Sequence, residues 1–528
     1  MDHLETKRKN TISLLLSSLK MAVATLLSRI LGLVREQVMA YMFGASGVTD
    51  AFLVAYRIPN MLRDLFAEGA FSAAFVPIFT EVRLKDPAQA RRMLWTLVIL
   101  LGFITLCIVA GMIYFAPELV SVFAPRFVEN PEKFQITVTL IRLMSPFLTL
   151  VSLAALMMGV LNSIKIFFVP SLAPALYNIV MIASMVLLPQ LLVSYNLHIA
   201  ISMGIGVVLG GVVQLAVQLP LIFLRGYGPT GPLNFSSVNI RRIINRVGVG
   251  TIGIAATQIN ILINTVLATS TVVGAVSWLS YGFRLFQFPV GILGVSIAGS
   301  NLVHFSELWK KGDYGQAKET LRNSYAISFA VMLPALALLF ALSNETIHLI
   351  YERGRFSSHD TMMAAKAMRY YLVGLPFYGL YKIFSPTFYA LDMPRVPVTI
   401  SVISIVLNIT FSVVMTPIYG FHMLALGISI SMMFNTSLQS WYLRKVLALP
   451  VTFFINRQLG KVVVSSVATL FLAKWLAISW FSFSDPFLQK VLIFSVIGIL
   501  GAACYLGAMV ALGEWKTVKP LLIKRKRQ

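Results

Sequence analysis

SRILGLVREQVMAYMFGASGVTDAFLVAYRIPNMLRDLFAEGAFSAAFVP, residues 28–77, sets a string of charges inside two segments that are otherwise apolar enough to cross a bilayer. At helical pitch Glu36 lies about two turns beyond Arg29; Asp50, Arg57 and Asp64 follow one another at that same spacing, with Glu68 a turn further on. Each set forms one stripe. An ionised side chain at the bilayer centre costs roughly 2.5 to 3.5 kcal/mol on insertion scales, so a row of them facing lipid is excluded and a polar cavity is the expectation. The rest of the chain reads as a frame around that cavity.

Composition agrees. Of the 528 residues 58% are hydrophobic and 12% charged, far too apolar for a soluble globular chain. We count fourteen apolar segments long enough to cross a membrane as helices, at residues 12–40, 50–80, 93–116, 134–162, 170–193, 199–224, 241–268, 272–306, 321–343, 362–391, 396–416, 421–445, 458–481 and 487–512. Lys and Arg gather in alternate connections: Lys7 to Lys9, Arg83 to Arg92, Arg241 to Arg246, Lys310 and Lys311, Arg395, Arg444 to Arg457, and Lys524 to Arg527. By the positive-inside rule this side is cytoplasmic and holds both termini. The formal charge of +23 is spread over all these loops, so it signals orientation and contact with anionic phospholipids, not nucleic acid. Ala22-Val23-Ala24 has the form of a leader cleavage site, but Lys20 interrupts the preceding apolar run, so no cleavable leader is expected. Cys107 and Cys504 lie in apolar segments and imply no disulfide.

A single constant shift superposes Pro59 on Pro289, Gly69 on Gly299, Phe75 on Phe305, Pro146-Phe147 on Pro376-Phe377 and Asn178-Ile179 on Asn408-Ile409. The shift spans an even number of segments, so both copies insert the same way up. The expected fold is all-α and polytopic: an N-lobe of helices 1–6 (residues 1–224), a basic linker (225–240) and a C-lobe of helices 7–12 (241–445) around a central cationic cavity. Residues 446–512 add two helices outside the repeat, expected to wall a groove for a lipid tail, and 513–528 form a basic tail. Two like lobes around a polar cleft suit alternating access.

Within the predicted spans the N-lobe contributes Arg29, Arg35, Glu36, Asp50, Arg57, Arg63, Asp64, Glu68 and Arg142, and the C-lobe Arg284, Arg369 and Lys382. Arginine dominates, and its planar fork suits bidentate recognition of phosphate oxygens, so a phosphorylated membrane-associated substrate fits. The acids Glu36, Asp50, Asp64 and Glu68 balance the arginines in an empty cavity. The alternative, that pairs such as Arg29–Glu36 and Arg57–Asp64 only hold helices together, stays open at this point. An intramembrane glycosyltransferase or phosphatase would need an Asp-x-Asp pair or a histidine cluster, and neither occurs. A scaffold has no use for buried charge. No catalytic residue, metal ligand or cofactor is assigned: there is no GxxxxGK[ST] motif, and although Gln258, Asn260, Asn264 and Asn408 offer oxygens for sodium, helix 7 has no carboxylate. The membrane potential or a monovalent cation is left as the energy source.

The strings SRILGLVRE, GVTDAF, YRIPNMLRDLFAEGAFSAAFVPIF and SYGFRLFQFPVGILGVSIA resemble the MurJ (MviN) family of lipid II flippases over essentially the whole chain. That resemblance implies the multidrug/oligosaccharidyl-lipid/polysaccharide exporter fold in a bacterial cytoplasmic (inner) membrane. It implies transport, not enzymatic chemistry, of lipid II, an undecaprenyl pyrophosphate bearing a disaccharide-pentapeptide, from the cytoplasmic to the outer leaflet. Other cell-wall synthesis proteins are the partners it suggests. Arg29, Arg35, Asp50, Arg63 and Arg284 occupy positions of functional charged residues in the family, and of these Arg29, Arg35, Arg63 and Arg284 are the expected substrate contacts. Glu36, Asp50, Arg57, Asp64 and Glu68 are the expected charge balance. Many members carry acids immediately before and three residues after the helix-8 arginine; here those places hold Phe283 and Gln287. An exporter of another polyprenyl-linked glycan or of a drug on the same fold is the alternative.

Overall fold

The computed structural model describes residues 2–66, 70–291, 295–454 and 456–514. All regular structure among them is helical, and the chain divides into two compact units, Met1–Gly274 and Ala275–Gln528.

The first unit runs α1 (Asp2–Phe43), α2 (Gly47–Phe66), α3 (Ala70–Lys85), α4 (Pro87–Tyr114), α5 (Ala116–Phe123), α6 (Pro131–Met144), α7 (Phe147–Ser163), α8 (Phe168–Ser194), α9 (Ile201–Ala216), α10 (Leu219–Leu224) and α11 (Val238–Thr269). Local chemistry sets the starts. Asp86 accepts from the amides of Ala88 and Gln89 with Pro87 in the first turn of α4, and Asn130 accepts from the Lys133 amide ahead of α6. Pro146 supplies no amide proton, and the chain breaks there between α6 and α7. Helix α8 packs against both α1 and α9, and α7 against α9, α4 and α3. The α8–α9 approach depends on glycine: a Cβ on Gly210 would lie 2.5 Å from the Tyr177 ring, so the small residue gives that ring its seat.

The linker before α11 folds back on α4. Trp95 Nε1 donates to the Tyr227 carbonyl at 2.8 Å, and the Asn234 amide donates to Thr96 Oγ1 at 3.2 Å. Nearby, a hydrogen bond from Lys85 and the charge of Arg242 hold the exposed Glu81 carboxyl below its usual range. By sequence repeat α11 opens the second copy, yet it packs along α2 and α3 and belongs to the first compact unit.

The second unit comprises α12 (Ala275–Pro289), α13 (Val295–Lys310), α14 (Tyr314–Ala341), α15 (Ser343–Tyr351), α16 (Ser358–Leu372), α17 (Leu375–Ala390), α18 (Arg395–Tyr419), α19 (His422–Val446), α20 (Arg457–Trp480) and α21 (Phe487–Ala511). From α4 to α9 and from α14 to α19 the same order recurs: a long helix, a short one, a pair broken at Pro146 or just before Pro376, then two more long helices. The helices outside the repeat, α20 and α21, pack on each other, with α20 against α14; Tyr505 Oη donates to the Ala330 carbonyl at 2.7 Å and fastens α21 to the same helix.

By length and composition eight helical stretches among the described residues can cross a membrane. They match the more apolar of the fourteen segments. Helices such as α2, with Asp50, Arg57, Arg63 and Asp64 in twenty residues, fall below that standard because of the charges that mark them as cavity-forming.

Candidate polar cavity of the first unit

Arg35 and Arg63 come from different helices, α1 and α2, and line one cavity of about 250 Å³ together with residues of α7, α8, α9 and the α9–α10 junction. Each arginine has a carboxylate beside it. Arg35 Nη2 donates to Glu36 Oε1 at 3.3 Å, and Arg63 donates to Asp64 Oδ1 from Nη2 at 2.9 Å and from Nε at 3.3 Å. Glu36 is buried, and Asp64 also accepts from Gln258 Nε2 of α11 at 3.3 Å. Each guanidinium of the lining thus has one carboxylate within ion-pair distance. These pairs form between neighbours in the chain, where the stripe spacing suggested partners two turns apart, because a long guanidinium stem can fold alongside its own helix to the next residue.

The remaining lining is polar without being charged. Tyr177 Oη donates to Tyr56 Oη at 3.3 Å, and Asn178 Nδ2 donates to the Ser28 carbonyl at 3.2 Å, holding α8 to α1 beside the cavity. Gln214 and Gln218 close the α9 side. Asn178 is marked in the sequence only as a position of the repeat, and Tyr56, Tyr177, Gln214 and Gln218 not at all, since an uncharged polar residue in an apolar helix carries little signal until its helical neighbours are known.

Asp50 is placed elsewhere. It is 1% exposed, accepts from the Gly274 amide at 2.7 Å and pairs with Lys133 Nζ at 3.5 Å, so it joins α2 to α6 and to the end of the first unit. Lys133 also lies over the Phe127 ring, 3.9 Å from its centroid. Arg29 is exposed on α1 and Arg57 partly buried on α2, and neither belongs to the lining of this cavity. Glu68 lies outside the described residues. Arg142 Nε donates to the Ile113 carbonyl near the end of α4 at 3.3 Å, a helix-terminal contact.

In the second unit Arg284 is exposed on α12. Two residues back, Gly282 packs so tightly on α16 that a Cβ would lie 2.9 Å from the Met368 nitrogen, and Trp278 Nε1 donates to Asp360 Oδ1 at 2.9 Å. At 3.6 residues per turn Arg284 therefore points away from α16. Phe283 packs its ring edge-on against Tyr371 with the ring centroids 5.1 Å apart. Arg369 Nε donates to Ser343 Oγ, and Lys382 is partly buried on α17. Of the oxygen-bearing residues weighed for sodium, Asn264 donates to Asn260 within α11, and Ser412 donates to Asn408 Oδ1 at 3.4 Å within α18.

A family model described as "Lipid II flippase MurJ" matches residues 39–497. The chain is 31% identical over 455 residues to a probable lipid II flippase MurJ of Buchnera aphidicola subsp. Acyrthosiphon pisum, covering 84% of this chain and 87% of the relative. It is 32% identical over 507 residues to the lipid II flippase MurJ of Burkholderia cenocepacia, covering 93% and 95%. Among solved structures, a lipid II flippase MurJ in an inward closed conformation superposes with a TM-score of 0.75 at 24% identity, over 93% of this chain and 99% of that one, a likeness of fold.

Proposed function

The chain belongs to the MurJ family of lipid II flippases, and from that premise we propose that it carries lipid II from the cytoplasmic to the outer leaflet by alternating access, with arginines gripping the pyrophosphate. It is a transporter, not an enzyme, and spans a bacterial membrane many times. The observation that carries the reading is the meeting of Arg35 and Arg63 in one polar cavity, each balanced by an adjacent carboxylate. A pyrophosphate entering such a cavity competes with Glu36 and Asp64 for the guanidinium donors, and bidentate phosphate contacts are among the strong charge-assisted hydrogen bonds. Arg29 and Arg284 are proposed as further phosphate contacts during the transport cycle, with Arg57 in the charge balance.

In this reading residues 446–512 wall the groove that keeps the polyprenyl tail in hydrocarbon, the membrane is the cytoplasmic one, and both termini face the cytoplasm, where the basic loops meet anionic phospholipids. Coupling to the membrane potential or to a monovalent cation supplies the drive. An inside-negative potential favours outward movement of an anionic headgroup by about 2.3 kcal/mol per elementary charge per 100 mV, so an empty return step suffices to complete a cycle.

The test separates charge from shape. Arg284→Lys keeps the charge and loses the planar fork. It is expected to accumulate normally in the membrane and to bind lipid II about ten- to a hundredfold more weakly, the loss of one charge-assisted hydrogen bond. Unchanged binding by Arg284→Lys would return the arginines to a purely structural role.

A further inference from the structure

The first-unit cavity holds groups that a phosphate does not need. Gln218 is 1% exposed, and its Nε2 donates to the Gln214 carbonyl at 2.9 Å while its Oε1 is buried with no protein partner. A buried amide oxygen left without a donor is costly and calls for a ligand that brings one. A phosphate brings only acceptors, and an isoprenoid chain brings neither. Among the lining residues the rings of Tyr56, Phe147 and Tyr177 follow one another at centroid distances of 6.0 and 5.7 Å, and two of the three carry a hydroxyl. Apolar ring faces beside amides and hydroxyls suit a group with a carbon–hydrogen face and a hydroxyl or N–H edge, which is a sugar ring.

We infer that this cavity is the subsite for the sugar joined directly to the pyrophosphate. Gln218 accepts from a hydroxyl or acetamido N–H of that ring, the ring packs against Tyr56 and Tyr177, and Arg35 and Arg63 hold the adjoining phosphate oxygens. The inference rests on the reading of the arginines above and adds to it a specificity-determining residue: Gln218 distinguishes the sugar-bearing carrier lipid from the bare one.

Purified full-length protein in detergent is titrated with lipid II and, separately, with undecaprenyl pyrophosphate, which has the same phosphates and tail and no sugar. Gln218→Met keeps the side-chain length and removes the acceptor, and should weaken lipid II about three- to tenfold while leaving undecaprenyl pyrophosphate unchanged. Tyr177→Phe, which keeps the ring on its Gly210 seat, should show the same selectivity and serves if Gln218→Met fails to accumulate. Loss of the same size for both ligands, or for neither, overturns the sugar subsite. Arg63→Lys reports on the premise independently: it should weaken both ligands alike, and no loss with either would bring down the arginine reading itself.

Discussion

Asp50 and Lys133 show how much a single buried pair can hold. The carboxylate is 1% exposed and is satisfied by the Lys133 ammonium and the Gly274 amide, so three separate parts of the first unit meet on one side chain. Removing one partner of a buried pair strands the other charge, at a cost of about 3–5 kcal/mol, whereas removing both is far milder. We expect Lys133→Met to lower the melting temperature of the purified protein sharply and Asp50→Asn combined with it to recover most of the loss; additive losses would mean that the two side chains do not act as a pair. Asp50 was legible in the sequence as an intramembrane charge, but Lys133 was not, because it lies one residue before the apolar segment 134–162 and reads as an interfacial lysine. Gln218, Tyr177 and Asn178 were not legible as site residues for a related reason. Each is an uncharged polar residue in an apolar stretch, and only the packing of α8 on α1 and α9 turns them to one cavity.

Among helices, what the sequence disclosed was length and order. Apolar runs long enough to span are local signals, but segments 134–162 and 362–391 read as single spans, whereas the chain breaks them at Pro146 and just before Pro376. The short helices α5 and α15 are too brief to show a periodicity of their own. Which helices touch is a tertiary matter. The repeat assigns α11 to the second copy, while its neighbours α2 and α3 hold it in the first unit. The α12–α16 contact can be tested directly. A Cβ on Gly282 would press on backbone atoms of Ala364 and Met368, at 3.0 and 2.9 Å, which cannot rotate away as a side chain can. Gly282→Ala should therefore destabilise the second unit by about 1–3 kcal/mol, read as a fall in melting temperature, even though alanine is the better helix former. An unchanged or higher melting temperature would show that α12 is free to shift, and with it the placement of Arg284.

At the scale of the molecule, two units of like element order, a polar cavity lined by two arginines and membership of the MurJ family support the proposal that arginines grip the headgroup of the transported lipid. In the first unit each cavity arginine pairs with an adjacent carboxylate, and Arg284 is carried on a helix of the second unit. The measurement that bears most directly on this is leaflet-resolved movement of labelled lipid II in proteoliposomes of the purified chain under an imposed inside-negative potential, for the native protein and for Arg284→Lys inserted to the same level. The native chain is expected to move lipid II across the bilayer and Arg284→Lys is not. Movement by Arg284→Lys at the native rate, or none by the native chain, would contradict the proposal.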